Sequence, residues 1–91
     1  MERNRKFEVL VTKRFEKELG SIQNINLRRK ILNCLKELEK FPQCNLDIKK
    51  IKGENLFRIR IGNYRIFFKL FKYERKIVVS NIFHRKVAYK R

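Results

Sequence analysis

Residues 57–68 read "FRIRIGNYRIFF" and constrain the fold more than any other stretch. Two alternating runs flank the dipeptide Gly62-Asn63, the signature of a hairpin closed by a two-residue turn. That turn puts Ile61 opposite Tyr64, Arg60 opposite Arg65, Ile59 opposite Ile66, Arg58 opposite Phe67 and Phe57 opposite Phe68. Side chains alternate between the faces of a strand. Phe57, Ile59, Ile61, Tyr64, Ile66 and Phe68 therefore share one face, expected to lie beneath helices. Arg58, Arg60, Arg65, Phe67 and Lys69 share the other.

The rest of the chain supplies those helices and the remaining strands. "KFEVLVT" alternates Phe7, Val9 and Val11 and reads as a first strand. Thr12 is an N-cap candidate for the helical pattern Phe15, Leu19, Ile22, with Gly20 fraying or ending its regular part. Asn26 is the N-cap candidate for a second, longer helix. Leu27, Ile31, Cys34, Leu35 and Leu38 mark its apolar stripe, with Phe41 at its end and Pro42 as the stop. "QCNLDIKKIKGEN" is a connection with room for a short extended piece at "IKKIKG". Strands at "LFRIRI", "YRIFFKLF" and "KIVVSNIF" follow, joined by "GN" and "KYER". The expected fold is α+β in the order β-α-α-β-β-β: a mostly antiparallel sheet with a two-helix hairpin packed on one face, as a single domain over residues 1–91.

Charge points to the partner. Lys and Arg number 25 against 9 acids, a formal net charge of +16. From Leu56 onward there are 11 basic residues and one acid, Glu74, so +10 of that charge lies in the last 36 residues. Such a field favours a polyanion: nucleic acid, an acidic protein or an anionic membrane surface. No apolar run approaches the ~18 residues of a membrane span, and the N-terminus has no signal-peptide core. No acid occurs from Phe57 to Tyr73 to offset the facing Arg60–Arg65 pair, which costs roughly 0.2–1 kcal/mol. A solvated basic face is the ordinary explanation of charged strand positions. The missing acids and the interleaved Phe67 favour phosphate contacts by guanidinium forks, with an aromatic available to a base or to packing.

The catalytic inventory is narrow. There is no Gly-rich phosphate loop, no Ser-His-Asp set and no carboxylate cluster for metal-ion catalysis. Cys34 and Cys44 match no familiar zinc spacing and have one histidine, His84, to join them. They read as buried or incidental thiols of a reduced, cytoplasmic protein. No metal or cofactor is expected. Arg, Lys, Tyr and His suffice for metal-free RNA cleavage, in which the 2′-OH attacks its own phosphate. The protein then aligns the attack, stabilises the added negative charge and assists two proton transfers.

"LFRIRIGNYRIFF" followed by "HRKVAY" resembles the RelE/ParE superfamily of type II toxin–antitoxin toxins, and length, element order and basic charge agree over nearly the whole chain. The resemblance implies an mRNA interferase that cuts mRNA in the ribosomal A site. It implies that Arg65 stabilises the phosphate transition state. Arg85 then stabilises charge or protonates the leaving group, and Tyr89 contacts the base and assists proton transfer. Arg58 and Arg60 stand where the well-studied branch carries lysines. A guanidinium does not give up its proton, so RNA positioning and charge stabilisation are the roles left to them. Proton transfer then falls to Tyr89, His84 or a ribosomal group. His84 is the candidate acid or base, against a structural role at a strand end. Tyr89 has a plainer reading as an anchor for the tail, and Tyr64 is assigned to the core. Phe67 and Lys69 complete the RNA-binding set.

The resemblance also implies an acidic antitoxin partner in a hetero-oligomeric complex, alongside ribosome and mRNA. Three other readings compete with it. A ParE-like gyrase inhibitor shares the fold but generally lacks the arginine and tyrosine set. A non-catalytic nucleic-acid-binding module would use the basic face for phosphates alone. A decayed homologue would retain only antitoxin binding.

Overall fold

The structure, a computed structural model, describes residues 6–51, 53 and 55–84. Its elements are β1 (Glu8–Val11), α1 (Lys13–Gly20), α2 (Ile25–Leu38), β2 (Ile48–Lys50), β3 (Leu56–Ile61), β4 (Tyr64–Phe71) and β5 (Lys76–His84). The sheet order is β1-β5-β4-β3-β2; β1 runs parallel to β5, and the other three pairings are antiparallel. This is the expected α+β order with one strand added. The extended piece anticipated near "IKKIKG" pairs with β3 as β2, placing Lys49 opposite Arg58.

Local chemistry sets the helix ends. Thr12 is extended, and its Oγ1 accepts from the N–H of Phe15 at 3.0 Å while donating to the carbonyl of Ser80 at 2.7 Å. One hydroxyl thus caps α1 and ties it to β5. The start of α2 lies two residues earlier than the sequence suggests. Asn24, not Asn26, is the N-cap; its Oδ1 accepts from the N–H groups of Asn26 and Leu27 at 3.0 and 3.1 Å. The reason is that Ile25 opens the helix with its side chain 64% exposed, off the apolar stripe that first becomes visible at Leu27. Gly20 closes α1 as expected, and Ser21 caps it.

Both helices bury their stripes on one face of the sheet. Phe15, Ile22, Ile31, Cys34 and Leu38 meet Ile59, Ile66, Phe68, Ile77, Val79 and Ile82 in a continuous core. Phe41, just past α2, sets its ring edge-on against Phe7, Phe57 and Phe68 at centroid distances of 6.1, 5.4 and 5.8 Å. Phe57 and Phe68 stack across β3 and β4 at 5.1 Å. None of the described helices is long and apolar enough to cross a membrane.

Two features of β5 prepare the site. First, β1 pairs with β5 only at residues 76–79. Beyond that point α1 covers the edge with side chains: Thr12 takes the Ser80 carbonyl, and Glu18 Oε1 accepts from the N–H of Ile82 at 2.7 Å while its Oε2 holds Arg14 Nε at 3.0 Å. Second, the β4–β5 register jumps between Phe67↔Asn81 and Phe68↔Val79, leaving Ser80 as an extra residue. Its Oγ donates to the carbonyl of Phe67 at 3.2 Å. A bulge of this kind reverses the facing of every residue after it. Val79 and Ile82 are therefore both buried although three residues apart.

Thr12→Ala removes a cap and an inter-element hydrogen bond together. It is expected to lower unfolding free energy by about 1–2 kcal/mol, read as a fall in the urea midpoint at constant m. Burial pushes the Cys34 thiol up to about 12, with Cys44 and Glu37 acting in the same direction. At pH 8 that thiol stays protonated. Folded protein is thus expected to resist alkylation at Cys34 by iodoacetamide, as counted by mass spectrometry, and to react there once denatured.

Candidate nucleic-acid interface

The hairpin closes as its sequence requires. Gly62 takes φ 57°, the positive value that the first central position of a tight hairpin turn of type II′ demands. The pairs Ile61↔Tyr64, Arg60↔Arg65, Ile59↔Ile66, Arg58↔Phe67 and Phe57↔Phe68 all form. Ile59, Ile66 and Phe68 are each 0% exposed beneath the helices. Burying each contributes about 1.5–3 kcal/mol. Together they outweigh the roughly 0.2–1 kcal/mol lost by setting Arg60 against Arg65. The core therefore dictates the register, and the arginines follow it onto the outer face.

On that face the structure brings together Arg58, Arg60, Arg65, Phe67 and Lys69, the last standing two residues further along β4 than Phe67. Arg58 and Arg65 are half-buried, whereas Arg60 and Lys69 are exposed. The Nε of Arg58 is buried and has no hydrogen-bond partner among the described residues. A buried donor on a charged group without an acceptor is costly. Phe67 lies half-buried with its ring edge-on to Phe83 at 5.4 Å. It is both a packing residue and an aromatic surface next to guanidinium groups.

Four residues join this face that the sequence reading did not place there. Asp47, immediately before β2, corrects the expectation of an uncompensated row: its Oδ2 lies 3.2 Å from Arg60 Nε, and its carbonyl accepts from the Arg60 N–H at 3.0 Å. Its absence from residues 57–73 hid it, since the contact comes from 13 positions away. Lys49 pairs opposite Arg58. Asn81 and Phe83 of β5 stand opposite Phe67 and Arg65. The period-two run Asp47, Ile48, Lys49 was the available signal for β2, too short to fix a strand. In "VVSNIF" the bulge that turns Asn81 and Phe83 outward shows only as a break in alternation between Val79 and Ile82, which does not place the extra residue.

That bulge also separates His84 from the arginines. His84 pairs with Tyr64, and their rings meet edge-on at 4.8 Å on the helix side of the sheet. Both line an open cleft of about 580 Å³ between the end of α1, the start of α2 and β5. Arg85 and Tyr89, the other two catalytic expectations, lie outside the described residues. His84→Ala is expected to reduce stability by about 0.5–1.5 kcal/mol through loss of the ring pair; unchanged urea unfolding would contradict that packing role.

Comparison with known proteins agrees with this architecture. The family model described as "ParE toxin of type II toxin-antitoxin system, parDE" matches residues 9–89. A toxin named RelE3 from Methanocaldococcus jannaschii is 37% identical over 86 residues, covering 90% of this chain and 94% of its own. The RelB–RelE antitoxin–toxin complex from Methanococcus jannaschii contains a chain that superposes with TM-score 0.74 at 35% identity, covering 89% of this chain and 95% of that one. The archaeal RelE–RelB complex from Pyrococcus horikoshii OT3 gives TM-score 0.75 at 25% identity, covering 87% and 94%.

Proposed function

The chain belongs to the RelE/ParE superfamily of type II toxin–antitoxin toxins, and from that premise we propose that it is a ribosome-dependent endoribonuclease that cuts mRNA in the A site and so inhibits translation. The observation that carries this reading is the outward Arg60–Arg65 pair, with Arg58 and Phe67 beside it, on the face the helices leave open.

In the proposed reaction the ribose 2′-OH attacks the adjacent phosphorus. The O2′–P bond forms, the P–O5′ bond breaks, one proton leaves O2′ and one is delivered to O5′. Extra negative charge accumulates on the phosphoryl oxygens as the attack proceeds, and fixed guanidinium groups stabilise it most where it is greatest. Arg65 takes that role, half-buried and held by its pairing with Arg60 on one side and Phe83 on the other. Arg58 and Arg60 hold the flanking backbone, Lys69 extends the positive field, and Phe67 offers its ring to a base. Arg85 stabilises charge or protonates the leaving oxygen. Tyr89 contacts the base and assists proton transfer, with a ribosomal group as the alternative. His84, on the helix side, would need to reach round the end of β5 to take part. The chemistry uses no metal or cofactor.

Both archaeal structures compared above are antitoxin–toxin complexes. A matching acidic antitoxin in a hetero-oligomeric complex fits the +16 charge of this chain, and such an encounter weakens with salt. The proposed setting is the cytoplasm, where ribosomes and reduced thiols coincide. The ParE description of the matching family model favours one alternative, inhibition of DNA gyrase.

The deciding assay is mRNA cleavage on programmed ribosomes. Wild type is expected to cut within the A-site codon. Arg65→Ala and Arg85→Ala are each expected to lose about 10²–10³ in rate. An inactive wild type that blocks gyrase supercoiling would replace this reading with the alternative.

A further inference from the structure

The edge of the sheet at β2 meets the arginines with two opposite charges. Asp47 grips Arg60 at two points, through the carbonyl that accepts its N–H at 3.0 Å and the carboxylate 3.2 Å from its Nε. Lys49, two residues on and facing the same way, stands opposite Arg58. The basic face thus has two rows about 7 Å apart, the rise of two strand residues. One runs Lys49, Arg58, Phe67 across β2, β3 and β4; the other runs Asp47, Arg60, Arg65.

The rows differ in what they offer a ligand. In the first, two cations stand side by side, and an aromatic residue stands opposite Arg58 on the next strand. That combination suits one phosphate and one base of a single strand. In the second, the carboxylate removes one unit of net charge, so the row is the poorer anchor. With Nε engaged, Arg60 keeps its two terminal nitrogens for an oxyanion, the edge of the fork that binds phosphate in bidentate fashion. The pair is exposed at 52% and 54%, so it contributes little to stability.

We infer that β2 and the residue before it divide the basic face into two rows with separate tasks. The Lys49–Arg58–Phe67 row anchors the single-stranded nucleotide next to the reacting one, and Asp47 is a positioning residue that aims Arg60 at the reacting phosphate. The inference rests on the reading that this face takes RNA.

The test pairs a binding measurement with a cleavage measurement. Fluorescence anisotropy of a short labelled single-stranded RNA is followed over a salt series for wild type, Lys49→Ala, Lys49→Arg, Asp47→Asn and Asp47→Glu. Cleavage is then followed over a range of programmed-ribosome concentrations, with thermal melts confirming that each variant folds. Lys49→Ala is expected to weaken RNA binding severalfold and to flatten the log–log salt slope by about 0.7, one phosphate contact on a single strand. Lys49→Arg restores both. Asp47→Asn is expected to bind RNA as tightly as wild type or tighter, yet to lower the maximal cleavage rate about tenfold or more, with partial rescue by Asp47→Glu. An unaltered slope in Lys49→Ala overturns the anchoring row. Asp47→Asn losing affinity and rate together, or losing neither, overturns the positioning role. If wild type cleaves nothing, the enzymatic reading fails and the Asp47 half falls with it, while the salt slope of Lys49→Ala still decides the anchoring row.

Discussion

The pairing of Ile61 with Tyr64 across Gly62-Asn63 is the constraint on which the rest of the structure depends. A two-residue turn leaves no slack, so one pairing fixes all those behind it. Sliding one strand by a residue would carry Ile59 or Ile66 out to solvent and an arginine into the core. Losing several buried side chains, at about 1.5–3 kcal/mol each, exceeds any relief from separating two like charges. The arginine row is thus held in place by the apolar residues between its members. The strand that presents Arg65 is also the strand that supplies Ile66 and Phe68 to the floor under the helices.

A sheet with one face open to a partner still has edges to protect. Among the described residues no strand pairs with the upper part of β5 on that edge, and α1 supplies partners from side chains. A threonine hydroxyl takes one carbonyl, and a glutamate takes one N–H. Capping of this kind blocks strand addition along that stretch and seats α1 close to the bulge at Ser80. The bulge sorts the end of β5, sending Asn81 and Phe83 to the arginine face and His84 to the helix face. The side chains nearest the site are thereby assigned by one extra residue in a strand.

Electrostatics enters at two scales. The excess of cations over the whole chain attracts any polyanion and is screened by salt over about 10 Å. It does not choose between RNA and an acidic protein. In the proposed reading, choice comes from local arrangement: Arg58 with Phe67 opposite it, and Asp47 paired with Arg60. The family resemblance and the geometry therefore bear on different questions. Membership names the toxin family; the outer face supplies the groups from which the proposed chemistry is argued.

Much of this was legible in the sequence, for a definite reason. Local signals determined the hairpin, its register and its two faces, because a tight turn and a period-two pattern act over adjacent residues. The same holds for the cap at Thr12, the apolar stripes of both helices and the basic character of the outer face. The cap at Asn24 was missed because an exposed Ile25 breaks the link between apolar pattern and helix start. What remained was decided by contacts between distant segments. Asp47 reaches Arg60 only once a three-residue strand has paired with β3, and three residues carry too little pattern to announce themselves. The side of the sheet taken by His84 was likewise undetermined: an unbroken alternation from Val79 would have put it with Arg65, and the bulge puts it with Tyr64. The bulge's trace in the pattern, two polar residues between Val79 and Ile82, does not say which of them is the extra one. Contacts from Thr12 and Phe67, far apart in the chain, single out Ser80 once helix and sheet have closed on one another.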